Sequence, residues 1–225
     1  MLSKKYNSEL ITIKKPFEGI YTLEFRSLNG KYKYLPGQFL HIALDPDYDG
    51  SNQWPDSRCF SMQSNPDELT IKITYAVKGH FTSLMQHNLT AGSEVWLKLP
   101  FGNLFSQAHS KTNTVFIAGG TGITPFLSLF THESFNEYSN PKIYLGFRSK
   151  SFNIYENELK YLKSCNPNIF YENKEGLLDI HHIFTENSIK SYYFISGPPM
   201  MIKAFKQSLM QYGVSVDHIL TDDWE

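Results

Sequence analysis

The sequence predicts two domains, an N-terminal six-stranded antiparallel β-barrel and a C-terminal α/β domain built on a parallel sheet. Three observations carry this reading. As far as about Gly102 the apolar residues fall in short runs of mostly period two, the spacing of strands with one buried face. From Thr114 onward strand-like runs alternate with helix-like ones, the pattern of a parallel sheet covered on both sides. Between them, "FSQAHSKTN" (105–113) has the polar composition of a linker, which sets the domains at residues 1–105 and 112–225.

The barrel strands are read at "LITIK" (10–14), "YTLEF" (21–25), "QFLHIAL" (38–44), "RCFSM" (58–62), "LTIKITYAV" (69–77) and "EVWLKLP" (94–100), each short and bounded by turn residues. One segment, "HFTSLMQHNL" (80–89), is helical, with Phe81, Leu84 and Met85 on one face. In the second half the strands are "TVFIA" (114–118), "KIYLGF" (142–147), "NIFYE" (168–172), "YYFIS" (192–196) and a final "VSVDHIL" (214–220). Helices between them include "ENELKYLKS" (156–164), with Leu159 and Leu162 three apart, and "MIKAFKQSLMQY" (201–212). In the latter, Ile202, Phe205 and Leu209 line one side and Gly213 supplies a stop.

Charge and cysteine content narrow the function classes. Lys and Arg number 21 against 22 Asp and Glu, with no like-charge run long enough for a nucleic-acid or membrane-surface arm. Nucleic acid is not an expected partner. The N-terminal "MLSKKYNSELITIKK" lacks a continuous apolar stretch, and no later segment approaches bilayer-spanning length, so the expectation is a cytoplasmic protein without a membrane span. Two cysteines, Cys59 and Cys165, do not suggest a disulfide framework and cannot form a four-cysteine zinc or iron–sulfur site within one chain. The adjacent His181 and His182 would not point at one ion from a helix or a strand. No metal is expected, so redox chemistry would need an organic cofactor or a partner.

The segment "FIAGGTGITPF" (116–126) places three glycines between a strand and a helix. Thr124 fits an N-cap and Pro125 a first helical position. Gly119, Gly120 and Gly122 clear side chains from the end of a parallel strand, where open sheets bind anions and nucleotides. Glycines there can also serve tight strand-to-helix packing, and the spacing is neither a G-x-G-x-x-G fingerprint nor a Walker loop. A second turn of the same kind follows in "FISGPPMMIKAF" (194–205), where Gly197, Pro198 and Pro199 could shape the floor of the same crevice.

Several motifs then stand in order: "PGQFLHI", "RCFS" (58–61), "KGHFTS" (78–83) followed by "LTAGSEVWLKLPFGNL", then "GGTGITP", "GFRS" and "SGPPMM". In this order they resemble the ferredoxin–NADP reductase-like flavoproteins, over about Leu10 to Trp224. The resemblance implies FAD, with FMN less favoured, in the barrel. Arg58 would pair with the flavin pyrophosphate, a role that suits a planar cation. Phe60 would lie against the flavin ring or its ribityl chain, and Ser61 would hydrogen-bond the ring nitrogen that receives hydride. Cys59 completes the motif. Arg58 and Phe60 share one face of a regular strand while Ser61 points away, so a strand end or kink is needed at Ser61 for all three to touch the flavin. Gly79, His80, Phe81 and Thr82 would form the flavin phosphate loop, and Ile73 and Tyr75 on the preceding strand could contact the cofactor or simply fill the barrel.

For the second domain the resemblance implies NADPH or NADH held by Gly120, Thr121, Gly122, Pro125, Gly197, Pro198 and Met201, with Arg148 and Ser149 near the adenine ribose. The basic Arg148 and Lys150 hint at a ribose 2′-phosphate, or form a solvated loop. Trp224, in the terminal "TDDWE", would stack on the flavin as a gate for nicotinamide, or dock a loose terminus. Three departures from the family pattern stand out: Phe60 where tyrosine is common, Ser196 where many members have cysteine, and no cysteine-rich extension to hold an iron–sulfur cluster. The implied activity is NAD(P)H oxidation through bound FAD, with electrons passed to ferredoxin, flavodoxin or an oxygenase component. A reductase of free flavin and a non-catalytic nucleotide-binding electron-transfer subunit are the alternatives.

Overall fold

The computed structural model describes residues 2–51, 53–162 and 165–222. The chain divides between Asn103 and Leu104 into two compact units.

The first unit is a six-stranded antiparallel sheet, as expected. Its strands are β1 (Lys4–Phe17), β2 (Ile20–Ser27), β3 (Phe39–Ala43), β4 (Ser57–Ser61), β5 (Thr70–Ala76) and β6 (Glu94–Phe101), ordered β4-β3-β6-β1-β2-β5. β4 and β5 end that order, and the chain just past β4 joins them. The Gln63 amide donates to the Lys72 carbonyl at 2.8 Å, and the Thr74 hydroxyl donates to the Gln63 side chain at 2.7 Å. Drawing the edges together as in a barrel covers ladder groups that an open sheet would expose. Leu10, Leu40, Ile42, Ile73 and Leu97 fill the interior, and α1 (His80–Asn88) adds Phe81 and Met85 to the same core. Leu84, expected on that helix face, is 36% exposed.

β1 begins at Lys4, well before the apolar run that marked it. Tyr6, Ser8 and Leu10 all face inward, and the buried serine in the middle hides the alternation. Its hydroxyl accepts from the Tyr32 hydroxyl at 2.8 Å and donates to the Tyr6 carbonyl at 3.3 Å, which satisfies a polar group that would otherwise cost about 1–3 kcal/mol to bury.

The second unit is a five-stranded parallel sheet: β7 (Thr114–Gly119), β8 (Lys142–Phe147), β9 (Asn168–Tyr171), β10 (Tyr192–Ser196) and β11 (Ile219–Thr221), ordered β11-β10-β7-β8-β9. Helices α2 (Thr124–Phe130), α3 (Glu172–Glu175), α4 (Ile180–Thr185) and α5 (Pro199–Gln211) lie between the strands. On β7, Phe116 and Ala118 enter one core with Phe126, Phe130 and Phe194, while Val115 and Ile117 enter the other with Tyr193, Ile202 and Leu209. The chain runs outward from β7 to β9 and returns on the other side through β10 and β11, so the order switches between β7 and β10.

Three elements differ from expectation. "ENELKYLKS" yields a five-residue 3-10 turn, Glu158–Leu162, whose three-residue repeat suits the spacing of the buried Leu159 and Leu162. "VSVDHIL" is a 3-10 turn, Val216–His218, followed by the short β11: Val214, Ile219 and Leu220 are buried, but the exposed Val216 between them breaks the strand alternation. The polar stretch 105–113 is docked rather than free. Phe105 packs against Phe116, Phe126 and Phe194, and His109 meets the edge of Phe194 at 4.9 Å.

His109 is held by two hydrogen bonds whose partners set its tautomer: Nδ1–H donates to the Gln107 carbonyl at 2.6 Å, and Nε2 accepts from the Tyr138 hydroxyl at 2.7 Å. Burial, with Lys111 adding to it, holds the imidazole below its ordinary value of 6.5. The unfolded chain therefore binds this proton first as pH falls, so stability present above 6.5 is lost from there down to the lower folded value. His41, also depressed by burial and by Lys98, adds in the same sense. In urea titrations across this range, His109→Gln should flatten the acid decline of the unfolding midpoint; an unchanged slope would contradict the assignment.

At the switch point the two strand-to-helix turns meet backbone to backbone. A methyl group on Gly122 would stand 2.4 Å from the Gly197 Cα. Neither side can yield by a rotamer change, so Gly122→Ala should destabilise the second unit by roughly 1–3 kcal/mol. A melting temperature equal to that of the parent would show that the turns separate freely.

Candidate functional site

In the first unit the "RCFS" motif is β4 itself. Arg58 and Phe60 lie opposite Ile42 and Leu40 of β3, on the inward side of the strand, with Arg58 itself exposed. Cross-strand partners share a face, so Cys59 and Ser61, opposite His41 and Phe39, are on the other side. β4 ends at Ser61, which is 8% exposed, so the strand end that a common contact requires is present.

The Arg58 guanidinium lies 5.4 Å from the ring centroid of Phe81, in the first turn of α1, and forms an exposed ion pair with Asp56 at 3.2 Å. That turn opens at Gly79, whose extended backbone any residue could adopt and around which a side chain would meet nothing within 4 Å. Neither conformation nor crowding demands glycine here, so its effect is to leave the helix start bare. The first amides of an α-helix have no partner one turn back, and they carry the positive end of the helix dipole. Thr82 is already engaged: its hydroxyl accepts from the Lys78 and Gly79 amides at 3.0 and 3.1 Å and donates to the Gly79 carbonyl at 3.0 Å. It shapes the turn. A guanidinium beside free amides on an open surface suits a phosphate group.

Aromatic rings adjoin this turn. Phe60 packs against Tyr75 at 5.7 Å between centroids, and Tyr75 stacks on Tyr21 at 5.6 Å. Burial raises the Tyr75 phenol above its ordinary value, so it stays protonated. Tyr75, at 4% exposed, and Ile73, at 0%, both belong to the barrel core, which leaves little surface on Tyr75 and none on Ile73 for a ligand. His80 is exposed, and Phe81 is buried with its ring under Arg58.

In the second unit the glycines of "GGTG" divide into two kinds. Gly119 and Gly122 are needed for close approach, to Met201 and Pro198 in one case and to the Gly197 backbone in the other. Gly120 has φ +56 with nothing within 4 Å of an added side chain. It is the open position of the turn. A 3-10 turn, Gly120–Ile123, precedes α2, and Thr124 is not its N-cap: the Thr124 hydroxyl donates back to the Thr121 carbonyl at 3.0 Å, since its own backbone is already helical. Pro125 sits at the start of α2, where its missing amide leaves nothing unpaired.

The matching turn after β10 is built differently. Pro198 and Pro199 carry no amide hydrogens, and the Met201 amide already donates to the Pro198 carbonyl at 2.9 Å. This turn offers few donors to an anion and serves as a wall for the glycine turn. Ser196, 2% exposed, donates to the Asp222 carboxylate at 3.3 Å, while the Asp222 amide donates to the Ile195 carbonyl at 3.0 Å. Asp222 was not singled out in the sequence, where "TDDWE" drew attention to Trp224. Trp224 itself lies outside the described residues.

Arg148, Ser149 and Lys150 follow β8. Arg148 is exposed with its guanidinium 5.9 Å from the Phe152 ring centroid, and the Ser149 and Ser151 hydroxyls are 2.8 Å apart. Among the described residues no three His, Cys, Asp or Glu side chains group as metal ligands would, and no helix is long and apolar enough to cross a membrane.

Residues 116–207 match the oxidoreductase NAD-binding domain family. The chain is 29% identical over 199 residues to a subunit of the Na(+)-translocating NADH-quinone reductase of Haemophilus influenzae, covering 74% of this chain and 48% of the relative. It thus spans about half the length of that relative. Against the gamma subunit of sulfhydrogenase 2 from Pyrococcus furiosus it is 25% identical over 246 residues, covering 96% of this chain and 82% of the relative. Among solved structures, a ferredoxin NADP+ reductase from Neisseria gonorrhoeae with bound FAD and NADP superposes with a TM-score of 0.78 at 18% identity, covering 97% of this chain and 98% of that one. An antiparallel six-stranded unit, a parallel unit that matches an oxidoreductase NAD-binding domain over residues 116–207, and this superposition show that the chain has the two-unit fold of that ferredoxin NADP+ reductase.

Proposed function

We propose that the protein is an NAD(P)H-dependent flavoprotein that holds FAD on its first unit, takes reducing equivalents from a pyridine nucleotide held by its second, and delivers electrons to a carrier protein or oxygenase component. The observation that supports this most is a pair of bare, amide-rich turns of different construction, one in each unit: the start of α1 beside Arg58, and the open Gly120 beside the Gly122–Gly197 contact. Relatives named as subunits of a quinone reductase and a sulfhydrogenase favour a chain that passes electrons onward.

FAD, when bound, supplies an acceptor for two electrons that can release them one at a time. Arg58 and the first amides of α1 would neutralise its phosphates, and Phe60, backed by the buried Tyr75, would cover its ring system. Ser61, at the end of β4, would offer a hydrogen bond at the ring edge. Gly120 would let the pyrophosphate of the nucleotide reach the backbone, with Thr121 beside it, while Gly197, Pro198 and Met201 wall the crevice. Positioning of the two ring systems carries most of the rate in such a transfer, because little covalent chemistry is asked of the protein. Trp224 remains the candidate gate.

Arg58→Ala should lower the flavin content of the purified protein, and a full complement of flavin in this variant would remove the phosphate role. Gly120→Asn keeps a residue that tolerates the left-handed backbone but fills the open position. It should raise KM for the nucleotide several-fold while flavin content is retained; unchanged KM would move the pyrophosphate elsewhere. Arg148, Ser149 and Lys150 favour NADPH over NADH, so Arg148→Ala should lower the NADPH-to-NADH ratio of kcat/KM by roughly tenfold, the size expected of one lost charge-assisted hydrogen bond. A constant ratio would make these residues a solvated loop.

A reductase of free flavin is the second reading, favoured by Phe60, which lacks a hydroxyl for the cofactor, and by Thr82, whose hydroxyl is spent within its own turn. A colourless purified protein that consumes NAD(P)H only with added flavin would decide for it.

A further inference from the structure

Met201 is the third residue of α5 and lies across Gly119 and Gly197. A methyl group on Gly119 would stand 2.9 Å from its sulfur, and one on Gly197 would stand 2.7 Å from its terminal methyl. The thioether therefore fills the space that two absent side chains leave, directly behind the turn that carries Gly120. It is partly exposed, whereas Met62 and Met85 are sealed in the barrel core at 0% and 1% exposure. Met200, at 77%, and Met210, at 49%, are more open but touch neither glycine turn in this way.

We propose that Met201 is an oxidation site that switches off the nucleotide turn. Hydrogen peroxide delivers one oxygen atom to the sulfur: an S–O bond forms, the peroxide O–O bond breaks, and water leaves. The sulfur loses two electrons and the peroxide gains them. The product is larger and polar, with an oxygen carrying partial negative charge. Packed against Gly119 and Gly197, that oxygen has no free space on the glycine side, so the Gly122–Gly197 contact must open or the side chain must swing out. Either outcome loosens the turn, and a hydrogen-bond acceptor placed there competes with pyrophosphate for its amides. The inference rests on the reading of the Gly120 turn as the nucleotide seat. The oxidant belongs to the class that such an enzyme itself makes when electrons reach dioxygen in pairs.

The test compares each protein with its own untreated form. The full chain is exposed to graded hydrogen peroxide, oxidised positions are mapped by peptide mass, and NADP+ and NAD+ binding and flavin content are measured by calorimetry and absorbance. In the parent, one oxygen added at Met201 should accompany an affinity loss of about tenfold, equivalent to about 1.4 kcal/mol, with flavin content unchanged. Methionine sulfoxide reductases should restore the affinity. Met200→Leu should respond as the parent does, and Met201→Leu should give a treated-to-untreated ratio near one. Equal affinity after full oxidation of Met201, resistance of Met201 while Met200 is oxidised, or an equal loss in Met201→Leu would each overturn the proposal. Untreated protein that binds neither nucleotide would overturn both this proposal and the functional reading beneath it, whereas normal binding without a peroxide effect would overturn this proposal alone.

Discussion

A side chain at position 122 would lie 2.4 Å from the Cα of Gly197, and the arrangement of the second unit follows from that approach. Two strand-to-helix turns leave the sheet at its switch point, and they can share that space only if both are stripped of side chains where they touch. Proline completes the exclusion on one side by removing amides from the start of α5. Hydrogen-bonding capacity is thereby concentrated on the other turn, at Gly120, where the left-handed backbone is open to solvent. Tight packing and anion access, which compete as explanations of a glycine-rich turn, are here divided among neighbouring glycines. Gly119 and Gly122 serve the first, and Gly120 is left open for the second.

The first unit solves a related problem by other means. Its candidate site needs a bare helix start next to a cation, and it is assembled from one edge strand and the helix that follows the other. β4 carries Arg58 and Phe60, while β5 leads into α1 and carries Tyr75. The bonds from Gln63 to Lys72 and from Thr74 to Gln63 tie these edges together. Closure of the barrel and construction of the site are the same event, so the arginine reaches the ring of Phe81 without a dedicated loop. Gly79 adds open space but no special backbone, and so its value lies in what it leaves uncovered.

Much of this was legible in the sequence because it rests on periodicity and order. Strands β8 and β10 fall where the apolar runs place them, and the motif order carried the two-unit architecture. What escaped the sequence has physical causes. Ser8 is buried but polar, so β1 looked shorter than it is. Leu159 and Leu162 are three apart, a spacing common to α-helices and 3-10 turns. Phe105 and His109 sit in polar company but dock on the sheet through aromatic contacts that composition does not reveal. At the site, Arg58 and Phe60 could be placed on one face by strand parity alone. The division of labour among Gly119, Gly120 and Gly122, and the bond from Ser196 to Asp222, depend on contacts between segments far apart in sequence. Thr124 shows the limit of a local rule: a threonine before a proline reads as a cap, yet the 3-10 turn ahead of it had already begun the helix.

Together these features support a chain that separates the binding of an electron acceptor from the binding of an electron donor. Anaerobic stopped-flow mixing of the purified protein with NADH and with NADPH, followed at the flavin absorbance, tests that division most directly. The account predicts rapid loss of the oxidised flavin spectrum, faster with one nucleotide than the other and saturating with its concentration. Bound flavin left unbleached by both nucleotides would contradict it.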